Sequence, residues 1–210
     1  MTTPPSSDSD DHDLDPAMDR PASSRARPTP PGMWQPPTLE EMQGMLPQYQ
    51  FECLLGHGGM GAVFRVHDLS TGRELALKRL TAATSAKHMA LFEREYHVLS
   101  SLKHPSVIEV FDFGVSDDGQ RYYTMEILPG DDLATLSPLP WNQACAAIRD
   151  IATSLALLHA RRFVHRDVSP RNIRLDSIGR AKLLDFGALA GFGVATEIVG
   201  TPMCIAPEGA

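Results

Sequence analysis

Asp167 and Asn172 stand five residues apart in FVHRDVSPRNIRLD (163–176), a stretch that proline breaks into a loop. A carboxylate so placed can orient a hydroxyl or take its proton, and an amide oxygen can face a cation. Asp185 opens DFG at the end of a predicted strand. A carboxylate and an amide on adjacent loops suit Mg²⁺, which prefers oxygen ligands and phosphate company. Taken singly, Asp167 reads equally well as a helix cap and Asp185 as a turn residue. The set, in this order and spacing, is far more specific.

Lys78 lies in LALK, on a predicted strand among apolar residues. Alone it reads as a strand lysine snorkelling to solvent. Glu95 changes that balance, because it is four residues from both Leu91 and Leu99 and shares the buried stripe of its helix. A carboxylate buried there costs several kcal/mol unless a cation meets it, and Lys78 is the candidate. Such an ion pair would hold the lysine over nucleotide phosphates. GHGGMGAV places Gly56, Gly58 and Gly61 in a G-x-G-x-x-G-x-V pattern between two predicted strands. Glycines there let backbone amides approach phosphate oxygens. An ordinary glycine-rich hairpin explains the pattern as well. A dinucleotide fingerprint is disfavoured, since a strand rather than a helix follows.

The elements that must position these groups follow from periodicity. YQFECLL, AVFRVHD and RELALKRL read as three strands, and SAKHMALFEREYHVLSSL as a helix with Leu91, Phe92, Leu99 and Leu102 on one side. VIEVFDFGV and RYYTMEIL form a hairpin across Asp117-Asp118-Gly119. WNQACAAIRDIATSLALLHA is the most regular helix, with Ala144, Ala147, Ile148, Ile151, Leu155 and Leu158 in one stripe. NIRL and AKLLDFG then read as two short strands. Strands with one helix followed by mostly helix predict an α+β chain in two lobes. Residues 1–48 are rich in Pro, Ser, Asp and Arg, so they are expected to be a disordered tail. RPTPPGMWQPP within it reads as a linker rather than a polyproline ligand.

The chain is 42% hydrophobic and 21% charged, with a net charge of −7. Much of the acid lies in SDSDDHDLDPAMD, and no basic field argues for nucleic acid or an anionic membrane. Cys53, Cys145 and Cys204 form no CxxC pair or metal cluster and read as reduced thiols, which with the absence of a leader or spanning segment suggests a cytoplasmic protein.

These motifs together resemble the eukaryotic-type serine/threonine protein kinase family, in its bacterial branch. The matching pieces are GHGGMGAVF, LALK, Glu95, HRDVSPRN, DFG and GTPMCIAPE, all in family order over about residues 49–210. LKHPSVI and TMEILPGDDL are similar too. The resemblance implies an N-lobe over 49–128 and a partial C-lobe over 129–210, with ATP and Mg²⁺ as cofactors and a protein as substrate. Asp167 would orient the substrate hydroxyl, Asn172 and Asp185 would hold Mg²⁺, and Lys78, paired with Glu95, would hold the α/β-phosphates. Gly56, Gly58 and Gly61 would cover the nucleotide. Val63 and Ala76 would sandwich the adenine, Met125 would back it, Glu126 and Leu128 would offer hinge backbone, and Asp132 would lie near the ribose. Leu99, His165 and Phe186 would stack into the spine of an active state. Thr201 suits the serine/threonine branch.

The chain also departs from the pattern. Ser169 stands where the family carries lysine, Arg174 where an apolar residue lies beneath the adenine, and Cys204 where tyrosine is usual. Glu197 would offer Arg166 a constant negative charge, with Thr196 as a neighbouring phosphosite. The chain ends two residues past Glu208, whereas the family continues into further helices. That predicts a shortened lower lobe with part of the 141–160 stripe exposed and open to self-association. A nucleotide-binding pseudokinase or inactive scaffold is the alternative to an active kinase, and a small-molecule phosphotransferase fits GTPMCIAPE poorly.

Overall fold

The computed structural model describes residues 34–58, 61–81, 85–193 and 199–205. Thr196, Glu197 and Glu208, and with them the expected charge opposite Arg166, lie outside the described residues.

Five antiparallel strands form the first layer: β1 (Tyr49–Gly58), β2 (Gly61–Asp68), β3 (Glu74–Leu80), β4 (Val110–Val115) and β5 (Arg121–Glu126), in the spatial order β1-β2-β3-β5-β4. Register sorts the side chains between the two faces, because residues directly opposite each other share a face and alternate residues return to it. Lys78 pairs with Val63 on one side and Tyr123 on the other, and Ala76 pairs with Met125. Val63, Ala76, Lys78, Tyr123 and Met125 therefore share the face that looks into the cleft. Phe64, Val66, Leu75 and Leu77 occupy the opposite face and are buried in a separate apolar cluster.

Residues 34–48 correct the expectation of a disordered tail running to residue 48. They carry a helix, α1 (Leu39–Met45), whose first turn is closed by a capping box. Thr38 Oγ1 accepts from the Glu41 amide at 3.2 Å, and Glu41 Oε2 accepts from the Thr38 amide at 2.7 Å. Met42 and Leu46 are fully buried against the outer sheet face, with Trp34 packed beside them. Gln43 ties the helix to β1, donating to the Tyr49 carbonyl at 2.8 Å and accepting from the Phe51 amide at 3.2 Å. Composition averaged over the Pro-rich stretch hid the T-x-x-E signal.

A second helix, α2 (Ala86–Ser101), is capped by Ser85 and buries Phe92, Glu95, Val98 and Leu99. Beneath the sheet, α3 (Trp141–Ala160) buries Ala147, Ile151 and Leu158, and β6 (Phe163–Val164) follows it. The hairpin β7 (Ile173–Leu175) and β8 (Ala181–Leu183) packs on α3, and β9 (Ala190–Gly191) pairs with β6. The remainder of the α3 stripe is open: Ile148 is 69% exposed and borders an apolar groove of about 480 Å³. The β7–β8 hairpin meets the upper layer directly, since the Leu183 amide donates to Ser106 and the Leu183 carbonyl accepts from Ile108. The arrangement is a two-lobed α+β fold. No described helix is long and apolar enough to cross a membrane.

Candidate active site

Glu95 joins four pieces of the chain. It is 2% exposed, and its carboxylate accepts from Lys78 Nζ at 2.8 and 3.1 Å, from the Tyr123 hydroxyl at 3.0 Å and from the Phe186 amide at 3.2 Å. The sequence pattern predicted the Lys78 partner; Tyr123, cross-strand from Lys78, carries no motif and escaped it. Burial alone would depress the Lys78 ammonium, but the Glu95 carboxylate, with Tyr123 and Asp185 behind it, raises it well above its ordinary value. Burial and the same carboxylate raise Tyr123, so its hydroxyl remains a donor.

Lys78 also reaches Asp185 Oδ1 at 3.2 Å. The ammonium beside it holds the Asp185 carboxyl below the ordinary carboxylate range, against the effect of burial. Asp185 has φ of +54° and Arg166 φ of +65°, a left-handed backbone that few side chains adopt. Arg166 immediately precedes Asp167 and Asp185 opens DFG, and such outliers cluster at working sites.

Asp167 is held from two sides. Its Oδ2 accepts from Asn172 Nδ2 at 2.8 Å, and its Oδ1 accepts from the Thr201 amide at 2.8 Å and hydroxyl at 2.7 Å. The Thr201 contact was not expected from spacing; Thr201 had served only as a branch marker. Gly200 makes it attainable: at φ of +125°, a Cβ there would sit 2.4 Å from the Arg166 carbonyl oxygen. Asn172 donates a second bond to the Asp167 carbonyl at 2.9 Å, so both donors face Asp167 and the amide oxygen is left for a cation. Asp185 and Asn172 thus supply two oxygen donors, a set that fits Mg²⁺ completed by phosphate and water. No cluster of three or more His, Cys, Asp or Glu exists among the described residues, so a cage made by protein alone is not offered.

The three glycines separate into two kinds. A Cβ on Gly61 would lie 2.1 Å from the Arg79 carbonyl oxygen, so glycine is required for β2 to pair with β3. A Cβ on Gly56 or Gly58 would meet nothing within 4 Å, so sterics do not demand glycine there. Ala76 and Leu128 are buried, Val63 is half-buried, and Asp132 Oδ1 accepts from the Thr135 amide and hydroxyl. Glu126 is tied by its carboxylate to Lys182 at 2.5 Å and to the Glu109 amide at 2.9 Å. Ser169 is 2% exposed, and its hydroxyl has no hydrogen-bond partner among the described residues.

His165 and Phe186 stack edge to face, with ring centroids 4.7 Å apart, and are buried with Leu99. Burial lowers the His165 pKa below its ordinary 6.5, although the Leu184 backbone, Asp185 and Asp167 oppose it. The unfolded ring takes up a proton as pH falls past that value while the folded ring resists. Stability is therefore fully present above it and declines as pH drops. Urea titrations of wild type between about pH 7.5 and 5 should show this slope, and His165→Phe should flatten it. An unchanged slope in the variant would assign the titration elsewhere.

The protein kinase domain family model matches residues 49–209. The serine/threonine-protein kinase pkn3 of Myxococcus xanthus is 33% identical over 181 residues, covering 77% of this chain and 33% of its own. The DNA damage-responsive serine/threonine-protein kinase RqkA of Deinococcus radiodurans is 33% identical over 173 residues, covering 77% and 26%. The serine/threonine-protein kinase PrkC of Bacillus subtilis is 31% identical over 172 residues, again covering 77% and 26%. This chain spans about a quarter to a third of the length of these relatives.

Proposed function

Because the chain belongs to the protein kinase domain family, we propose that it transfers the γ-phosphate of ATP to serine or threonine hydroxyls of proteins. The observation that carries this reading is the connected set Lys78–Glu95–Asp185 beside Asp167–Asn172–Thr201. Lys78, fixed by Glu95, binds phosphate oxygens at the cleft face of β3. Asp185 and Asn172 hold Mg²⁺, which when bound supplies positive charge to the phosphates. Asp167 orients the acceptor hydroxyl and takes its proton on the carboxylate that Thr201 and Asn172 aim. Gly56 and Gly58 leave room above the phosphates. Val63, Ala76 and Met125 cover the base, with backbone at Glu126 and Leu128 along its edge and Asp132 towards the ribose. The three free cysteines, all exposed, suit a reducing compartment, and the reading places the protein in the cytoplasm with its ATP and protein substrate.

The test is transfer of γ-labelled phosphate from Mg²⁺–ATP into the chain itself or into added serine- and threonine-containing peptides. Transfer by wild type that is absent from Asp185→Ala supports the proposal. Nucleotide binding without transfer would favour a pseudokinase, a reading to which the uncharged Ser169 points, its hydroxyl having no partner among the described residues.

A further inference from the structure

Lys78, Tyr123 and Phe113 stand side by side on one face of the sheet, since Tyr123 pairs with Lys78 across β3 and β5 and with Phe113 across β5 and β4. Helix α2 lies over this row. Phe92 and Tyr96 both pack on Tyr123, with ring centroids 4.9 and 5.9 Å away, and both pack on Phe113, at 6.4 and 5.0 Å. Phe92, Glu95 and Tyr96 are spaced i, i+3 and i+4, one face of the helix. A single side chain of β5 thereby meets α2 at three residues. Its ring lies on Phe92 and Tyr96, and its hydroxyl donates to Glu95 Oε1 at 3.0 Å. Tyr123 is itself fully buried, which fixes where that hydroxyl points.

The hydroxyl matters once a nucleotide arrives. Lys78 supplies two of the four bonds to the Glu95 carboxylate, and Tyr123 and the Phe186 amide supply one each. An ammonium has three N–H groups, so turning them towards phosphate oxygens takes donors away from Glu95. Buried as it is, the carboxylate cannot recover them from water, and a charge short of donors is driven outwards. Of the two donors that remain, only the Tyr123 hydroxyl stands on the sheet that also carries Lys78. We infer that Tyr123 is a positioning residue for nucleotide binding: its hydroxyl keeps the Glu95 carboxylate seated while Lys78 engages the phosphates. The inference rests on the nucleotide reading above and adds to it a residue outside the kinase motifs.

Calorimetric titration with Mg²⁺–ATP and with adenosine, on wild type, Tyr123→Phe and Tyr96→Phe, tests it. Adenosine has no phosphates, so it does not report on Lys78. Tyr123→Phe keeps the ring and should weaken Mg²⁺–ATP by about tenfold, the loss of one hydrogen bond to a charged group, with adenosine unchanged. Tyr96→Phe deletes a hydroxyl of the same aromatic cluster, one that donates to the Phe111 carbonyl at 2.8 Å rather than to Glu95. It should leave both affinities as in wild type. An unchanged ATP affinity in Tyr123→Phe overturns the inference. So does an equal loss of both ligands, or a matching loss of ATP in Tyr96→Phe, since either would mean a general loosening of α2. Wild type binding neither ligand would bring down the nucleotide reading itself, and this inference with it.

Discussion

Asp167→Asn should slow phosphoryl transfer by about 10²–10⁴-fold while nucleotide affinity stays as in wild type. The carboxylate receives three donors: the Thr201 amide and hydroxyl on one oxygen and the Asn172 amide on the other. An asparagine must turn its own NH₂ towards one of those groups of donors, so one side of the grip is lost along with the proton acceptor. Lys78 does not touch Asp167, and binding of ATP is therefore untouched. Single-turnover transfer beside a binding titration separates the two effects. Full transfer by Asp167→Asn would remove this carboxylate from the mechanism.

Lys78→Met is expected to lower stability by about 3–5 kcal/mol as well as to abolish tight ATP binding, because it strands a buried carboxylate. Glu95 would keep only the Tyr123 hydroxyl and the Phe186 amide as donors at 2% exposure. Glu95→Gln should cost less: its amide oxygen still accepts those two bonds, and Lys78 retains Asp185. The distinguishing result is the double variant. Lys78→Met with Glu95→Gln should be more stable than Lys78→Met alone, since the orphaned charge is gone. Equal stability of the two in urea would show that Glu95 is relieved by some other partner.

Much of this site was legible in the sequence because its members are types that burial punishes or chemistry requires. Glu95 on an apolar stripe demanded a cation, and Lys78 on an apolar strand was the candidate. The five strands and two long helices followed from alternation and helical spacing. What escaped had no such signature. Tyr123 looks like any strand aromatic until register places it across from Lys78. The bond from Thr201 to Asp167 spans 34 residues and depends on Gly200 slipping past the Arg166 carbonyl, which spacing does not encode. Gly61 was grouped with phosphate-facing glycines, yet its bare Cα answers to the neighbouring strand. The reach of Arg174 to the Gly130 carbonyl needed coordinates.

The short helix α1 carries the packed unit upstream of the family likeness. Family likeness starts at Tyr49, yet Met42 and Leu46 share one apolar cluster with Phe64, Val66, Leu75, Leu77 and Tyr122. A chain cut at the edge of the likeness would present the back of the sheet to water, a flat oily wall behind the strand that carries Lys78. The outline of the family likeness and the packed hydrophobic unit therefore differ by at least a capped seven-residue helix and the tryptophan ahead of it.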